Sequence, residues 1–163
     1  MKRLIFMRHA KSCWDDPDIS DFDRPLNKRG KRDLDRMSSE ILKQQIVPDV
    51  IFSSPSVRTK ITATKMSETL DVPLHFNKDL YHILDDELLG EIRLLDNSLN
   101  TVMFVIHNPG ITDIRNHFLE DYLENVPTCG CVALSFEEAN DWSELSEATE
   151  LFFEYPKLYF SKK

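Results

Sequence analysis

Two arginines and two histidines stand where a multiply charged tetrahedral anion could be held and attacked: Arg8, His9, Arg58 and His107. Arg8-His9 follows directly on the apolar run Leu4-Ile5-Phe6-Met7. Ser53-Ser54-Pro55-Ser56-Val57 leads to Arg58 near a helix start. His107 ends the run Thr101 to Ile106 and passes through Asn108-Pro109-Gly110 into another helix. A guanidinium is a planar fork that matches phosphate oxygens, and a helix N-terminus adds free N–H groups and the favourable end of its dipole. Taken singly, each residue has a plainer explanation. A histidine closing a strand is often structural, and an arginine in a first helical turn is usually solvated or paired with a carboxylate. The conjunction at three strand ends is what points to chemistry. Zinc on His9 and His107 is disfavoured, because two guanidiniums would repel a dication and no Asp or Cys lies at ligand spacing. Neither a metal nor a cofactor is expected.

The elements that must position these residues alternate between short β-rich runs and helical-period segments. Leu4 to Met7, Asp49 to Ser53, Pro73 to Phe76 and Thr101 to Ile106 read as strands. Continuous apolar runs among them suit strands covered on both faces. Pro25 is a helix starter, and the segment to about Gln45 carries Leu34, Met37 and Ile41 at helical spacing. A second helix presents Val57, Ile61 and Leu70, a third Leu84, Leu88, Ile92 and Leu95, a fourth Ile111, Ile114 and Phe118. After Pro127, Val132 to Phe136 and Glu150 to Tyr155 form an antiparallel edge pair. The alternation predicts an α/β three-layer sandwich over 1–163, a mainly parallel central sheet flanked by helices. In such sheets ligands sit beyond the carboxyl ends of the strands.

Composition sets the class. The 163 residues are 41% apolar and 29% charged, with 4 glycines and 8 prolines, which fits one domain with its own core. Lys plus Arg is 20 against 28 Asp plus Glu, a formal net charge of -8, so neither nucleic acid nor a membrane surface is an expected partner. Lys28, Arg29, Lys31, Arg32 and Arg36 do cluster, either as a solvated helix face or as a rim for an acidic partner. Cys13, Cys129 and Cys131 are an odd set without an export segment, since the apolar start stops at Arg8. Reduced thiols and a cytoplasmic location are expected. Cys129-Gly130-Cys131 lacks the second pair a zinc site needs.

Arg8-His9-Ala10-Lys11-Ser12, Ser53-Ser54-Pro55-x-x-Arg58-x-x-x-Thr62-Ala63 and His107-Asn108-Pro109-Gly110, in that order, resemble the histidine phosphatase superfamily, which includes phosphoglycerate mutases. Ala10-Lys11, the Asp23-Arg24-Pro25-Leu26-x-x-x-Gly30 loop and the His-Asn-Pro-Gly turn resemble its SixA branch of phosphohistidine phosphatases. The likeness runs on to Tyr155-Pro156-Lys157. It implies a phosphoglycerate mutase-like fold and a metal-independent phosphatase with His9 as nucleophile. Arg8, Arg58 and His107 would hold the transferring phosphoryl group, with Ser12 and Asn108 as further substrate contacts or mere turn caps. Trp14 would wall the pocket or lie in the core. The substrate implied is phosphohistidine of a protein or a small phosphomonoester; the alternative is a phospho-binding or scaffold protein of the same fold that has lost turnover. A mutase would need a covering insertion and further basic residues, for which 163 residues leave little room.

Two departures stand out. Ala10 replaces the wider family's glycine, which argues against a left-handed backbone there. At the place of the proton-donating acid the chain reads Leu80-Tyr81-His82, so His82, or Asp85 just beyond it, is the candidate donor. Expelling an alkoxide benefits strongly from such an acid, whereas a protonated phosphoramidate nitrogen leaves more readily.

Overall fold

Apolar β-rich runs that are covered on both faces become the centre of the sheet. The computed structural model describes residues 1–160, and its strands are β1 (Lys2–Arg8), β2 (Val50–Ser53), β3 (Leu74–Phe76), β4 (Thr101–Ile106), β5 (Cys131–Phe136) and β6 (Thr149–Glu154). Between them run α1 (Lys28–Lys43), α2 (Val57–Leu70), α3 (Asp85–Arg93) and α4 (Gly110–Phe118). The strand order is β3-β2-β4-β1-β5-β6. β3, β2, β4 and β1 are mutually parallel, while β5 runs antiparallel to both β1 and β6, as the edge-pair expectation had it.

Alternation along each strand divides the interior. Leu4, Phe6, Val102, Phe104 and Ile106 face a core shared with Leu88 and Ile92 of α3 and Ile111, Ile114 and Phe118 of α4. Ile5, Met7, Met103 and Val105 face the opposite core, packed under Leu34, Met37 and Ile41 of α1 and Ala63, Met66 and Leu70 of α2. The result is the expected three-layer sandwich. Among the described residues no helix is long and apolar enough to cross a membrane.

Three local expectations are corrected. Pro25 does not start α1; Asn27 caps it, its side chain accepting from the Gly30 N–H at 2.7 Å. Val57 and Ile61 do not form the inner face of α2. Ile61 is exposed, and the buried face is Arg58, Thr59, Thr62, Ala63, Met66 and Leu70. Leu84 precedes α3 and is exposed, although Leu88, Ile92 and Leu95 do pack inward. The basic run on α1 is largely paired: Arg29 and Arg32 flank the fully buried carboxylate of Asp33, and Arg36 joins Lys43 around Glu40. That favours the helix-face reading over a rim.

Gly110, the first residue of α4, packs directly on the loop before α3. A Cβ there would lie 2.2 Å from the carbonyl oxygen of Ile83. Because the obstacle is backbone, Gly110→Ala must separate α4 from the loop that carries His82. We predict a loss of about 1–3 kcal/mol, read as a melting temperature lower by roughly 2–4 °C per kcal/mol. An unchanged melting temperature would mean the two segments can part freely.

Candidate active site

Strand order explains why residues remote in the chain meet. β2, β4 and β1 are adjacent and parallel, with Arg8 level with Ile106 and Ser53 level with Val105. Their carboxyl ends therefore open onto one edge. There a cleft of about 240 Å³ is lined by Arg8, His9, Ser12, Arg58, His107 and Asn108, and also by Lys11, Trp14, Asp21, His82 and Thr128.

His9 is 7% exposed and its backbone is fixed on two sides, its N–H donating to the Ile106 carbonyl and its carbonyl accepting from Cys129. Nδ1 lies 2.8 Å from the carbonyl oxygen of Ala10, an acceptor, so the ring proton sits on Nδ1. Nε2 then carries a lone pair, turned toward Nε–H of Arg58 at 3.4 Å. Burial lowers the pKa of His9 from 6.5 to about 3; the Ala10 hydrogen bond opposes this, and the charges of Arg58 and Arg8 add to it. The imidazole is neutral across the physiological range. Ala10 adopts no left-handed backbone, in keeping with its side chain, and its N–H donates to Thr62 Oγ1.

His107 is held from the other side. Its Nδ1 faces Nη2 of Arg58 at 3.4 Å, and a guanidinium can only donate, so the proton lies on Nε2, 2.8 Å from Ser54 Oγ and 3.3 Å from Thr59 Oγ1. Burial, and then the neighbouring His9 and Arg58, lower its pKa to about 2. The rings of His9 and His107 stand 5.2 Å apart. Arg8 donates through Nη1 to the Val126 carbonyl at 2.9 Å, and its buried Nε has no partner among the described residues.

Of the secondary candidates, Ser12 lines the cleft where its backbone bridges to Leu26. Asn108 lines it too, but its amide is engaged: Nδ2 donates to Asn125 Oδ1, and Oδ1 accepts from Thr112 at 2.8 Å. His82, in a left-handed backbone conformation (φ 54°), places its ring 4.9 Å from that of His107. Asp85 does not line the cleft; it begins α3, where a carboxylate suits the helix dipole. Trp14 walls the cleft instead of entering the core, 67% exposed with the Arg24 guanidinium 3.5 Å from its ring centre. Cys129 and Cys131 are buried free thiols, and burial raises both pKa values.

The carboxylate that does reach the cleft is Asp21. Its backbone carbonyl accepts from Nη1 of Arg58 at 2.5 Å, and its Oδ2 accepts from Nη2 of Arg58 at 3.0 Å and from Tyr81 OH at 2.6 Å. Nε2 of His82 lies 3.1 Å from the same oxygen. Partial burial would raise its pKa, but the hydrogen bonds from Tyr81, Arg58 and His82 and the charge of Arg58 outweigh this and hold it well below the usual carboxylate range. Neither Asp21 nor Thr59 stands out in the sequence, and Ser54 does so only within the Ser53-Ser54-Pro55-x-x-Arg58 motif, with no role of its own. Among the described residues no three His, Cys, Asp or Glu side chains converge as metal ligands.

The two buried histidines make stability depend on pH. Each has a folded pKa below its unfolded value of 6.5, so on acidification the unfolded chain takes a proton the folded chain refuses. This contribution is complete above 6.5 and shrinks toward pH 3 for His9 and pH 2 for His107, by about 1.4 kcal/mol per pH unit for each. Going from pH 7 to 5 is expected to cost about 2 kcal/mol per histidine, measured by denaturant unfolding. His9→Ala should remove its share of the slope, and an unaltered slope would contradict the assignment.

Comparison with known proteins gives concordant results. Residues 4–84 match the family profile described as the histidine phosphatase superfamily (branch 1). An uncharacterized chloroplastic protein of Arabidopsis thaliana is 29% identical over 154 residues, covering 88% of this chain and 70% of the relative. The structure assigned to SixA from Agrobacterium tumefaciens superposes with a TM-score of 0.83 at 23% identity, covering 95% of this chain and 98% of that one. The protein histidine phosphatase SixA complexed with tungstate gives 0.78 at 18%, covering 94% and 97%. At these identities the structural likeness is one of fold, the phosphoglycerate mutase-like sandwich.

Proposed function

The chain belongs to the histidine phosphatase superfamily, and we propose that it is a metal-independent phosphatase in which His9 takes up the phosphoryl group, acting on phosphohistidine of a protein and secondarily on small phosphomonoesters. The observation that carries the reading is the fixed tautomer of His9: the Ala10 carbonyl holds the proton on Nδ1, leaving Nε2 as a neutral nucleophile beside Arg58. Its lone pair forms a bond to phosphorus as the bond to the leaving group breaks. Water then attacks the phosphoryl group and releases Nε2. Arg8 and Arg58 hold the equatorial oxygens and stabilise their charge, and His107, whose one N–H is given to Ser54, joins them through Nδ1 when the bound dianion brings a second proton to its ring. Ser12 contributes a further polar contact, whereas Asn108 acts by pinning the 125–126 segment.

The state of the acids supports the preference for phosphohistidine. Asp21 is the carboxylate lining the cleft, and it is held ionised, so it has no proton to give an alkoxide. The phosphomonoester reading draws on His82, which lines the cleft and remains a candidate donor. A cytosolic setting belongs to the same reading, supported by three free thiols.

The test is a substrate panel in excess EDTA that sets phosphohistidine protein against phosphoserine, phosphotyrosine and sugar phosphates. Turnover that survives the chelator, fastest on phosphohistidine, is the expected result. Comparable rates on every substrate would remove the preference, and inactivation by EDTA would favour a metal-dependent phosphoesterase.

A further inference from the structure

A carboxylate in a cleft that binds a phosphate dianion needs a reason to be there. Asp21 opposes the bound anion and occupies both terminal nitrogens of Arg58. Holding Arg58 in place does not require the charge, because the backbone carbonyl of Asp21 already accepts from Nη1 at 2.5 Å. The two carboxylate oxygens also differ. Oδ2 meets Arg58, Tyr81 and His82, whereas Oδ1 accepts no hydrogen bond among the described residues; Arg24 Nη2 approaches it only to 3.7 Å. The Asp21 side chain is 41% exposed, so this oxygen is open to whatever enters.

Building on the phosphatase reading, we propose that Asp21 determines specificity: its carboxylate favours a leaving group that carries a protonated nitrogen, and so selects N-phosphoryl over O-phosphoryl substrates. In a phosphohistidine substrate one ring nitrogen bears the phosphoryl group, and protonation of the other makes the ring a cation. Asp21 stabilises that cation and keeps the proton on the ring. When His9 Nε2 bonds to phosphorus, the P–N bond to the substrate breaks and its electron pair returns to the ring, which departs as neutral imidazole with its proton retained. No acid has to deliver a proton during this step. An ester leaves instead as an alkoxide or phenoxide, whose developing negative charge meets the Asp21 carboxylate and is repelled. The other exposed aspartates of the same loop, Asp15, Asp16, Asp18 and Asp23, add to this field without defining it.

The experiment compares kcat/KM for a phosphohistidine-containing peptide with that for p-nitrophenyl phosphate in the wild type, Asp21→Asn and Asp21→Glu. Asp21→Asn is expected to lower the peptide-to-ester ratio by at least about tenfold, while Asp21→Glu keeps most of the ratio. Should the asparagine variant misfold, Asp21→Ser gives the same reading. Equal losses on both substrates would reduce Asp21 to a positioning residue for Arg58 and overturn the proposal. That result is distinct from failure of the phosphatase reading itself, in which wild type and His9→Ala would turn over neither probe.

Discussion

His9→Ala is expected to lower turnover of p-nitrophenyl phosphate by about 10⁴-fold or more, with phosphate binding changed far less. The reason lies in what each cleft nitrogen is already doing. Nδ1 of His9 is committed to the Ala10 carbonyl, Nε2 of His107 to Ser54, and Nδ1 of His107 faces Nη2 of Arg58 between the rings. The guanidiniums carry no lone pair to offer. The pair on His9 Nε2, met only by Arg58 Nε–H at 3.4 Å, is the nucleophile of this reading, so its loss removes the covalent route and not merely part of it. Arg8, Arg58 and His107 stay in place to bind the anion, and the loss should fall on kcat. An alkaline quench of wild-type enzyme should show a mass gain of one phosphoryl group that the variant lacks. If wild type and variant are equally inert yet bind phosphate, the alternative of a phospho-binding protein replaces the enzyme.

What the sequence could show follows from what is local. Apolar runs and their punctuation identify β1, β2 and β4, and the residues that follow them are the ones that line the cleft. Neighbour relations in the sheet are not local. That β4 lies between β2 and β1, which brings His107 beside both Arg58 and His9, is fixed by pairing across 52 to 98 positions. Asp21 was hidden for the same reason: it is one of five aspartates in a turn-rich loop, and its partner Arg58 lies 37 residues away. The inner face of α2 misled because periodicity weighs apolar character alone. Val57 and Ile61 yield to Arg58, Thr59 and Thr62, which the site draws inward to hold His107, Asp21 and the backbone of Ala10. The proton-donor position misled in the opposite sense, since the acids after His82 serve the start of α3, not the cleft.

Arg58 should show the second large effect, and Arg58→Lys should rescue little of it. The guanidinium reaches His9 Nε2 and His107 Nδ1 at 3.4 Å while its terminal nitrogens hold the Asp21 carbonyl and carboxylate. A lysine ammonium is a single point charge and cannot span these partners or present two parallel donors to a phosphoryl group. Loss of such a stabiliser typically costs about 10²–10³ in rate, and that range is expected for both Arg58→Ala and Arg58→Lys. The two variants differ in their pH profiles. Arg58 is one of the charges that depress the pKa of His9, so removing it in Arg58→Ala raises that pKa, and the acid limb of kcat/KM moves to higher pH. Arg58→Lys keeps the charge and should leave the limb nearer its original place. A profile that does not move in Arg58→Ala would leave Arg58 a geometric role alone. Full activity in either variant would mean that the phosphoryl group is held elsewhere than between β1, β4 and α2.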